Sequence, residues 1–216
     1  VDDRVREIMT IANKRNIPML EIPRSELDRL TDGSVHQGVA MQIPPYKYPD
    51  ATDLVLDTME RWHSGKLSTP PLFVALDGIT DPRNLGAIIR SVSAFSGDGV
   101  IIPERRSAAV TAGAWKTSAG AAARIPVAMA TNLTRVIQQA KEQGIFVIGL
   151  DGGGDIELPA LELANEPLCV VVGSEGKGLS RLVTENCDQI VSIPIDSAME
   201  SLNAAMACLL YISPSP

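Results

Sequence analysis

The chain has 216 residues, enough for one domain or for one domain with a small second one. Hydrophobic residues make up 45% and charged residues 21%, and no apolar run reaches the roughly 20 residues that span a bilayer. The net charge of −7 argues against binding to nucleic acid through a global basic field, so any such contact must use local patches. The opening residues show no signal peptide, and because the first residue is not Met, the natural start is expected upstream.

The cysteines and histidines give no sign of a metal site. Cys169, Cys187 and Cys208 are far apart, and His36 and His63 are the only histidines. Without a Cys-x-x-Cys pair or a Cys/His cluster, neither a zinc site nor a disulfide framework is predicted. Cysteines that need not pair favour a reducing compartment, so we expect a cytoplasmic protein without a metal ion.

The first part of the chain predicts a small α/β unit. Apolar residues at helical spacing indicate a helix from Val1 to about Arg15, and a second, short helix opens near Ser25. Strands are predicted at residues 17–22 and 38–43, so helices and strands alternate within this unit.

Prolines mark the end of this unit. They are frequent in residues 44–71, which predicts a linker in which only residues 54–62 have room for a helix. We therefore divide the chain into an N-terminal domain at 1–48, a linker at 49–71 and a second domain at 72–216.

The second domain alternates short apolar strands with helices. The predicted strands are Leu72–Leu76, Gly99–Ile102, Ile145–Leu150, Leu168–Val172 and Gln189–Ile193. The predicted helices are Leu85–Phe95, Ala108–Ala119, Leu133–Gln143, Leu179–Asn186 and Leu202–Tyr211. Continuous apolar strands between helices indicate an α/β fold, in which a parallel sheet is covered by helices on both faces. Ligands of such sheets bind at the carboxyl ends of the strands.

Three of these strands end in loops that could carry chemistry. After the first strand, Asn84 and Arg90 lie six positions apart, close to two turns of the following helix. Residues 173–179 contain three glycines, and residues 193–203 form a polar loop before the last helix. Taken singly, each feature has a structural explanation: Asn84 or Ser201 as a helix N-cap, Arg90 in a surface ion pair, and the glycines in a turn.

Together, and each after a strand, these loops resemble motifs one, two and three of the SpoU (also called TrmH) family of RNA 2′-O-ribose methyltransferases. The matching residues are Asn84-x5-Arg90, Gly173-x-Glu175-Gly176-x-Gly178 and Ile193-Pro194…Ser201-Leu202-Asn203. Residues 1–48 resemble the small RNA-binding extension of family members that methylate a guanosine of 23S ribosomal RNA. That second resemblance rests on Ile17-Pro18, Arg24-x2-Leu27-Asp28 and His36-Gln37-Gly38-Val39.

The resemblance implies a fold, a cofactor and an assembly. Members have a parallel sheet whose C-terminal segment threads a loop to form a trefoil knot, which general topology rules would otherwise exclude. They are homodimers, and they bind S-adenosylmethionine in the knot. By resemblance, the cofactor pocket would be lined by Gly173, Ile193, Met199, Ser201 and Leu202.

The resemblance also implies which residues are catalytic, namely Arg90, Asn84, Glu175, Ser201 and Asn203. The reaction is an in-line displacement of a methyl group from a sulfonium by a ribose oxygen, and it needs no metal. A 2′-hydroxyl is a poor nucleophile, so its proton must be removed or its developing anion stabilised. The family proposal makes Arg90 the base, whereas a guanidinium that stays charged is better suited to stabilise an alkoxide-like oxygen. The sequence leaves both roles open.

Several polar residues are candidates for contact with RNA. They are Arg24, His36, Gln37, Arg83 and Lys116, with Arg105 and Arg106 as further candidates. Arginine and lysine mostly hold phosphates, which positions RNA without reading its sequence. Sequence specificity is expected from the N-terminal unit, which would reach an unpaired loop of large-subunit ribosomal RNA.

Other interpretations stay open at this point. The same chemistry can act on tRNA, or on a ribosomal RNA site that confers antibiotic resistance. A non-catalytic RNA-binding assembly factor is a third possibility, and the presence of Arg90, Asn84 and Asn203 argues against it. A dinucleotide-dependent oxidoreductase is disfavoured because its glycine order is absent and the glycine loop follows a late strand.

Overall fold

The computed structural model describes most of the chain, namely residues 2–154, 156–157, 166–193 and 203–212. In the last of these ranges the side chains are described as far as residue 208. The chain divides into two compact units, Val1–Pro45 and Tyr46–Pro216. None of the described helices is long and apolar enough to cross a membrane.

The smaller unit contains two helices, α1 (Asp3–Lys14) and α2 (Arg24–Leu30). Asp2 caps α1, because its carboxylate accepts a hydrogen bond from the Arg4 N–H at 3.2 Å. Ala12 is the one buried residue of α1, and α2 has none. The described part of this unit therefore encloses little core of its own.

The strands predicted at residues 17–22 and 38–43 are wrong. Residues 2–45 contain no strand, so the described part of the N-terminal unit is helical rather than α/β. Neither segment has a partner strand there to satisfy its backbone groups, and Pro18 and Pro23 each lack an N–H donor.

The larger unit is a sheet with seven strands in the described part of the chain. Its strands are β1 (Leu72–Asp77), β2 (Gly99–Pro103), β3 (Val127–Ala130), β4 (Phe146–Leu150), β5 (Ile156–Glu157), β6 (Leu168–Gly173) and β7 (Gln189–Ser192). Its helices are α3 (Ala51–His63), α4 (Pro82–Ala94), α5 (Ala112–Thr117), α6 (Leu133–Glu142), α7 (Arg181–Asn186) and α8 (Ala204–Ile212). All five strands predicted from the sequence are present, whereas β3 and β5 were not predicted.

The strands are parallel throughout and lie in the order β3-β2-β1-β6-β4-β7-β5. The register places Asp77 of β1 beside Gly173 of β6, and Leu150 of β4 beside Val172 of β6. The carboxyl ends of these neighbouring strands therefore meet at one edge, where ligands of open α/β sheets bind. This topology confirms the predicted parallel sheet.

Side chains of the strands alternate between two cores, one on each face of the sheet. Val74 and Leu76 of β1 pack on the face that carries α4, α5 and α8. Phe73 and Ala75 pack on the face that carries α3, α6 and α7. Because both faces are covered, the strands are apolar along their whole length, and the prediction of helices on both faces is confirmed.

Residues 49–71, which were predicted as a linker, are built into the larger unit. They contain α3, whose Ala51, Val55 and Met59 are buried in the core. Asp50 caps this helix with its side chain. The prolines lie on either side of a helix whose apolar stripe packs on the sheet. Because this helix is buried, the segment is part of the larger unit and not a flexible linker.

The residues before α3 cover the outer edge of the sheet along β3. The Met129 N–H donates to the Pro49 carbonyl at 2.9 Å, and the Val127 N–H donates to the Tyr46 hydroxyl at 2.9 Å. Tyr48 packs edge-on against Tyr46, with ring centroids 4.9 Å apart. An edge strand would otherwise expose these donors. The boundary between the units therefore falls before Tyr46 and not after residue 48.

Several helices of the larger unit begin elsewhere than predicted, and α4 and α5 differ most. Helix α4 starts at Pro82 rather than Leu85, because Asp81 caps it and proline suits the first helical position. The helix predicted at residues 108–119 is reduced to α5, with a short 3-10 helix at Ala121–Ala123 after it. The Ala108 N–H donates instead to the Ile79 carbonyl at 2.7 Å, which ties this stretch to the loop after β1.

Candidate active site

The first turn of α4 leaves the side chain of Asn84 available. Asp81 is the cap, since its Oδ1 accepts a hydrogen bond from the Arg83 N–H at 2.8 Å. Asn84 therefore lies just beyond the carboxyl end of β1 with its amide free for another partner. Arg90 follows on the same helix and is exposed.

A tight loop after β6 fixes Glu175. Ser174 and Gly178 pair through two backbone hydrogen bonds of 3.1 and 2.9 Å. Gly176 and Gly178 have φ angles of +77° and +63°, which favour glycine. A Cβ on Gly173 would collide with the backbone of Gly178, because the loop folds back over the end of β6. The glycines thus let the chain turn here, and Glu175 lies in that turn.

Asp77 ties this loop to the neighbouring strand. It is the last residue of β1, and its Oδ2 accepts a hydrogen bond from the Ser180 N–H at 2.6 Å. Since Ser180 immediately precedes α7, the loop is fixed at its far end by β1 and at its near end by β6. An acidic residue at the end of a buried strand was the sequence signal for this role.

Three predicted catalytic residues meet around one carboxylate oxygen. The Nδ2 atoms of Asn84 and Asn203 donate to Oε1 of Glu175 at 3.0 and 2.6 Å. Nδ2 of Asn203 also donates to Oδ1 of Asn84 at 3.1 Å. Asn84 and Asn203 are 119 positions apart in the sequence, so only the folded sheet brings them together. We call this group the Asn–Glu–Asn cluster.

Asn203 also begins the last helix. Its Oδ1 accepts a hydrogen bond from the Ala205 N–H at 3.0 Å, in the manner of an N-cap. The sequence predicted a start at Leu202 with Ser201 as a possible cap, whereas α8 starts at Ala204. The amide oxygen of Asn203 therefore accepts a hydrogen bond from the start of α8, and its nitrogen donates to the cluster. These bonds together fix the orientation of the side chain.

The charged groups of the site are not paired with each other. None of the ion pairs among the described residues includes Glu175 or Arg90. Arg90 makes no side-chain hydrogen bond within the same residues, and the structure does not bring it into the cluster. The Glu175 carboxylate at this edge and the exposed Arg90 guanidinium, eight positions further along α4 from Pro82, are therefore both without an ion-pair partner among the described residues.

The structure describes two of the five residues predicted to bind the cofactor. Gly173 ends β6 and Ile193 follows β7, and both are half-buried at the carboxyl edge. Met199, Ser201 and Leu202 lie outside the described residues, and so does the catalytic role predicted for Ser201.

A further loop at this edge was not singled out from the sequence. Residues 151–154 (Asp-Gly-Gly-Gly) follow β4 directly, and the Asp151 N–H donates to the Val191 carbonyl at 3.1 Å. A Cβ on Gly154 would collide with the backbone of Val191 and Ser192, so this loop lies closely against β7. Three consecutive glycines after a buried strand were the signal that could have identified it.

The cysteines do not supply a nucleophile. Burial raises the pKa of Cys169 and of Cys208 to about 12. Burial, with a smaller effect from the Asp188 carboxylate, raises the pKa of Cys187 to about 11. Thiols with such pKa values stay protonated at neutral pH, and the thiolate is the reactive form. The Asn–Glu–Asn cluster therefore stays the candidate for catalysis.

The basic residues predicted to contact RNA in the larger unit are on its surface. Arg83 on α4 and Lys116 on α5 are exposed. Arg105 and Arg106 are exposed in the loop after β2, where Arg106 has a φ of +58°. Because Arg83 follows the end of β1 and Arg105 follows the end of β2, their charges lie on the side of the sheet that carries the cluster.

In the smaller unit, the residues predicted to contact RNA surround a cavity of about 340 Å³. Its lining consists of Ile22, Arg24, Leu27, His36, Gln37 and Gly38. The ring of His36 is buried, with Nε2 at 2.8 Å from Oδ1 of Asp28 and Nδ1 accepting the Gly38 N–H at 2.9 Å. Both nitrogens of His36 are therefore occupied, whereas Arg24 and Gln37 are exposed. In this geometry His36 supports the turn and does not present a free nitrogen to RNA.

This fold and site define the class of parallel α/β proteins that bind a ligand at the carboxyl ends of their strands. A model of the SpoU rRNA Methylase family matches residues 71–213. A model described as RNA 2′-O ribose methyltransferase substrate binding matches residues 1–49. The chain therefore belongs to the SpoU rRNA methylase family.

Individual relatives support this membership. An uncharacterized tRNA/rRNA methyltransferase of Mycobacterium avium (strain 104) is 57% identical over 206 residues, which are 95% of this chain and 64% of that protein. The chain thus spans less than two thirds of this relative. The SpoU methyltransferase AviRb from Streptomyces viridochromogenes, solved in complex with AdoMet, has a TM-score of 0.63 at 28% identity, covering 68% of this chain and 59% of that one. The AdoMet-bound rRNA methyltransferase from Sinorhizobium meliloti shares the fold, with a TM-score of 0.72 at 21% identity over 97% of this chain and 75% of that one.

Proposed function

We propose that the protein transfers a methyl group from S-adenosylmethionine to the ribose 2′-hydroxyl of a guanosine in 23S, large-subunit ribosomal RNA. The observation that carries this proposal is the convergence of Asn84, Glu175 and Asn203 at the ligand-binding edge of the sheet. Each residue comes from a different motif, and folding unites them. The family membership and the substrate-binding match at residues 1–49 support RNA as the substrate and ribose as the target.

The described residues at this edge fit S-adenosylmethionine. A Cβ added at Gly152 would meet nothing within 4 Å, so the loop after β4 offers open backbone groups to an adenine. The half-buried Ile193 offers an apolar contact for the methionine chain. When bound, the cofactor supplies an electrophilic methyl group on its sulfonium. The residues proposed to line its pocket are Gly173, Ile193, Met199, Ser201 and Leu202.

Arg90 is proposed to stabilise the negative charge that develops on the ribose oxygen. Its guanidinium stays charged in proteins and carries only donors, so it binds an alkoxide-like oxygen well. Within the described part of the chain its side chain has no partner that a substrate would have to displace. Asn84, Asn203 and Ser201 are proposed to position the ribose, and Arg90 would reach it in the homodimer proposed below.

Contacts to RNA are proposed in both units. Arg83 and Lys116 hold phosphates on the larger unit. In the smaller unit Arg24 holds a phosphate, and the exposed amide of Gln37 reads the edge of an unpaired base, while His36 supports the turn. The net charge of −7 agrees with binding through such local groups.

A trefoil knot, a homodimer and a cytoplasmic location also belong to this proposal. In the sheet β7 lies between β4 and β5, and residues 151–154 lie closely against the backbone of β7, which supports a crossing of chain segments at this edge. Arg90 does not join the cluster within one chain, which supports a site completed by a second copy. The three cysteines are free, as in a reducing compartment.

A second substrate class, tRNA, is favoured by one observation: the relative from Mycobacterium avium is described as a tRNA/rRNA methyltransferase. The catalytic roles would be the same, because tRNA and ribosomal RNA offer the same ribose hydroxyl. The assay that tests the function must therefore contain both kinds of RNA.

Methyl transfer from radiolabelled S-adenosylmethionine tests the proposal, with protein-free 23S ribosomal RNA and bulk tRNA as parallel substrates. Ribose 2′-O-methylation makes the adjacent linkage resistant to alkali, so we expect one labelled, alkali-resistant dinucleotide from 23S RNA. Label found only in tRNA would show that tRNA is the substrate, and it would leave the proposed ribose methylation unchanged. Label in alkali-sensitive nucleotides would contradict ribose methylation. Neither transfer nor calorimetric binding of the cofactor would favour a non-catalytic RNA-binding protein.

A further inference from the structure

The proposed reaction releases a proton, and one residue of the proposed catalytic set can accept it at neutral pH. The guanidinium of Arg90 is charged and has no acceptor atom. The amides of Asn84 and Asn203 are not bases, and the hydroxyl of Ser201 would itself need a base to activate it. The ionised carboxylate of Glu175 is an acceptor with two oxygens.

The two oxygens of this carboxylate differ in their hydrogen bonds. Oε1 accepts both amide donors of the Asn–Glu–Asn cluster, at 3.0 and 2.6 Å. Among the described residues no donor reaches Oε2 of Glu175, and no cation forms an ion pair with it. The two amides therefore orient the carboxylate through Oε1 and leave Oε2 to a substrate.

The backbone holds this carboxylate in place. The turn that carries Glu175 is closed by the pairing of Ser174 with Gly178, and Asp77 anchors the chain just after it. Asn203 is fixed in turn by the Ala205 N–H. A general base must lie within hydrogen-bond reach of the proton that it removes, so rigid placement favours this role. Glu175 is also exposed, so a substrate can reach it and the proton can leave to water.

We infer that Glu175 is the general base of the reaction and removes the ribose 2′-hydroxyl proton through Oε2, while Asn84 and Asn203 hold Oε1. The inference rests on the proposed function and names the proton acceptor that it requires. A bond forms between the ribose oxygen and the methyl carbon as the bond between sulfur and that carbon breaks. The sulfur keeps the electron pair, and the hydroxyl proton passes to Glu175 and then to solvent. Arg90 stabilises the oxygen during transfer.

The substitution Glu175→Gln tests this role, because glutamine keeps an oxygen that accepts both amide donors and loses the charge and the basicity. We expect the single-turnover rate of methyl transfer, at saturating cofactor and RNA, to fall by about 10²–10⁴-fold. Calorimetric affinity for S-adenosylmethionine should stay close to that of the wild type. Glu142→Gln is the matched control: this exposed glutamate on α6 has no side-chain partner among the described residues, and its replacement should leave the rate unchanged.

The pH dependence separates a base from a positioning group. If Glu175 is the base, replacing it with glutamine should change the shape of the pH profile and not only its height. In Glu175→Gln hydroxide must remove the proton, so the remaining rate should rise about tenfold per pH unit. A positioning residue would lower the rate and leave the shape of the pH profile as in the wild type.

Each result bears on the inference separately from the proposed function. A wild-type rate in Glu175→Gln, or a reduced rate with the wild-type pH profile, overturns the role of Glu175 and leaves the methyltransferase function intact. If Glu175→Gln does not fold, Glu175→Asp replaces it, because aspartate keeps a basic carboxylate at a different distance. A reduced rate with the wild-type pH profile would support the base, and a rate that rises about tenfold per pH unit would overturn it. No transfer by the wild-type chain to any RNA overturns the proposed function and this inference with it.

Discussion

Hydrogen-bond capacity explains why asparagine stands at both amide positions of the Asn–Glu–Asn cluster. A primary amide carries two donors and an acceptor, so it can serve two partners. Asn203 accepts from the start of α8 and donates to Glu175, and Asn84 donates to Glu175 and accepts from Asn203. Aspartate would place a second negative charge beside Glu175, and alanine would leave it without its donors. The amide is therefore the side chain that holds the carboxylate without neutralising it.

Arg90→Ala should lower the rate of methyl transfer by about 10²–10³-fold, the usual cost of losing one donor to a developing oxyanion. Affinity for S-adenosylmethionine should stay nearly unchanged, because Arg90 is assigned to the ribose oxygen. Single-turnover kinetics and calorimetry measure the two quantities. Arg135→Ala, an exposed arginine on α6, is the control. A large loss of cofactor affinity in Arg90→Ala would show that this arginine binds the cofactor instead.

Asp98 should make stability depend on pH. Burial raises the pKa of its carboxyl, an effect reduced by the Leu72 N–H, which donates to Oδ2 at 2.9 Å, and by Arg61. Because the folded pKa lies above the ordinary value of 3.8, this group stabilises the fold fully below that value. That stabilisation is lost as the pH rises through the folded pKa.

Asp98→Asn keeps the acceptor oxygen and removes the charge. It should raise the urea midpoint of unfolding at neutral pH, and the gain should vanish in acid, where the wild-type carboxyl is also neutral. An equal gain at both pH values would contradict this explanation. A lower midpoint at neutral pH would show that the charged form is the better acceptor for the Leu72 N–H.

At the scale of elements, the edge of the sheet at β3 is closed by the segment before α3 rather than by another strand. The Pro49 carbonyl and the Tyr46 hydroxyl accept N–H groups of Met129 and Val127. Burial raises the pKa of Tyr46, while its hydrogen bond from the Val127 N–H acts in the opposite direction. This segment therefore satisfies backbone donors of the edge strand β3, although it does not form a full strand itself.

Tyr46→Phe tests the contribution of that edge. It removes the hydroxyl that accepts the Val127 N–H and keeps the aromatic ring that packs on Tyr48. A buried donor without a partner costs about 1–3 kcal/mol, so urea unfolding should show a loss of that size in the free energy of unfolding. An unchanged free energy of unfolding would mean that water replaces the hydroxyl.

At the scale of the whole molecule, the two units are assigned different tasks. The larger unit holds the Asn–Glu–Asn cluster and the glycine loops proposed for the cofactor. The smaller unit holds the cavity around His36 and the exposed side chains of Arg24 and Gln37. The larger unit contains the sheet and both cores, so we expect it to fold without the smaller one.

Two deletions test this division of tasks. Removal of residues 1–45 should abolish methylation of ribosomal RNA and spare the binding of S-adenosylmethionine. Removal of residues 1–48 also takes Tyr46 and Tyr48 from the larger unit, so it should lower the thermal midpoint as well. Full activity without residues 1–45 would refute the RNA-binding role of the smaller unit. Equal midpoints for the two deletions would contradict the role of the tyrosines.

The sequence by itself determined the class of the fold and the three residues of the Asn–Glu–Asn cluster. Runs of apolar residues predicted β1, β2, β4, β6 and β7, because strands buried on both faces carry apolar side chains at every position. Asn84, Glu175 and Asn203 could be identified because the loops that carry them resemble the three motifs of the SpoU family. The short strands β3 and β5, with four and two residues, were missed because they are too short to show a periodicity.

Only the tertiary structure decided which neighbours complete these elements. Residues 17–22 have a strand-like pattern and form no strand, since the described part of the unit offers no partner for their backbone groups. Residues 49–71 have the prolines of a linker and yet carry α3, because burial on the sheet outweighs local composition. The grouping of Asn84, Glu175 and Asn203 on one carboxylate oxygen required the pairing of β1 with β6 and the packing of α8 against the face that carries α4, which local sequence does not encode. Local patterns determine the elements, and long-range packing determines which of their ends meet.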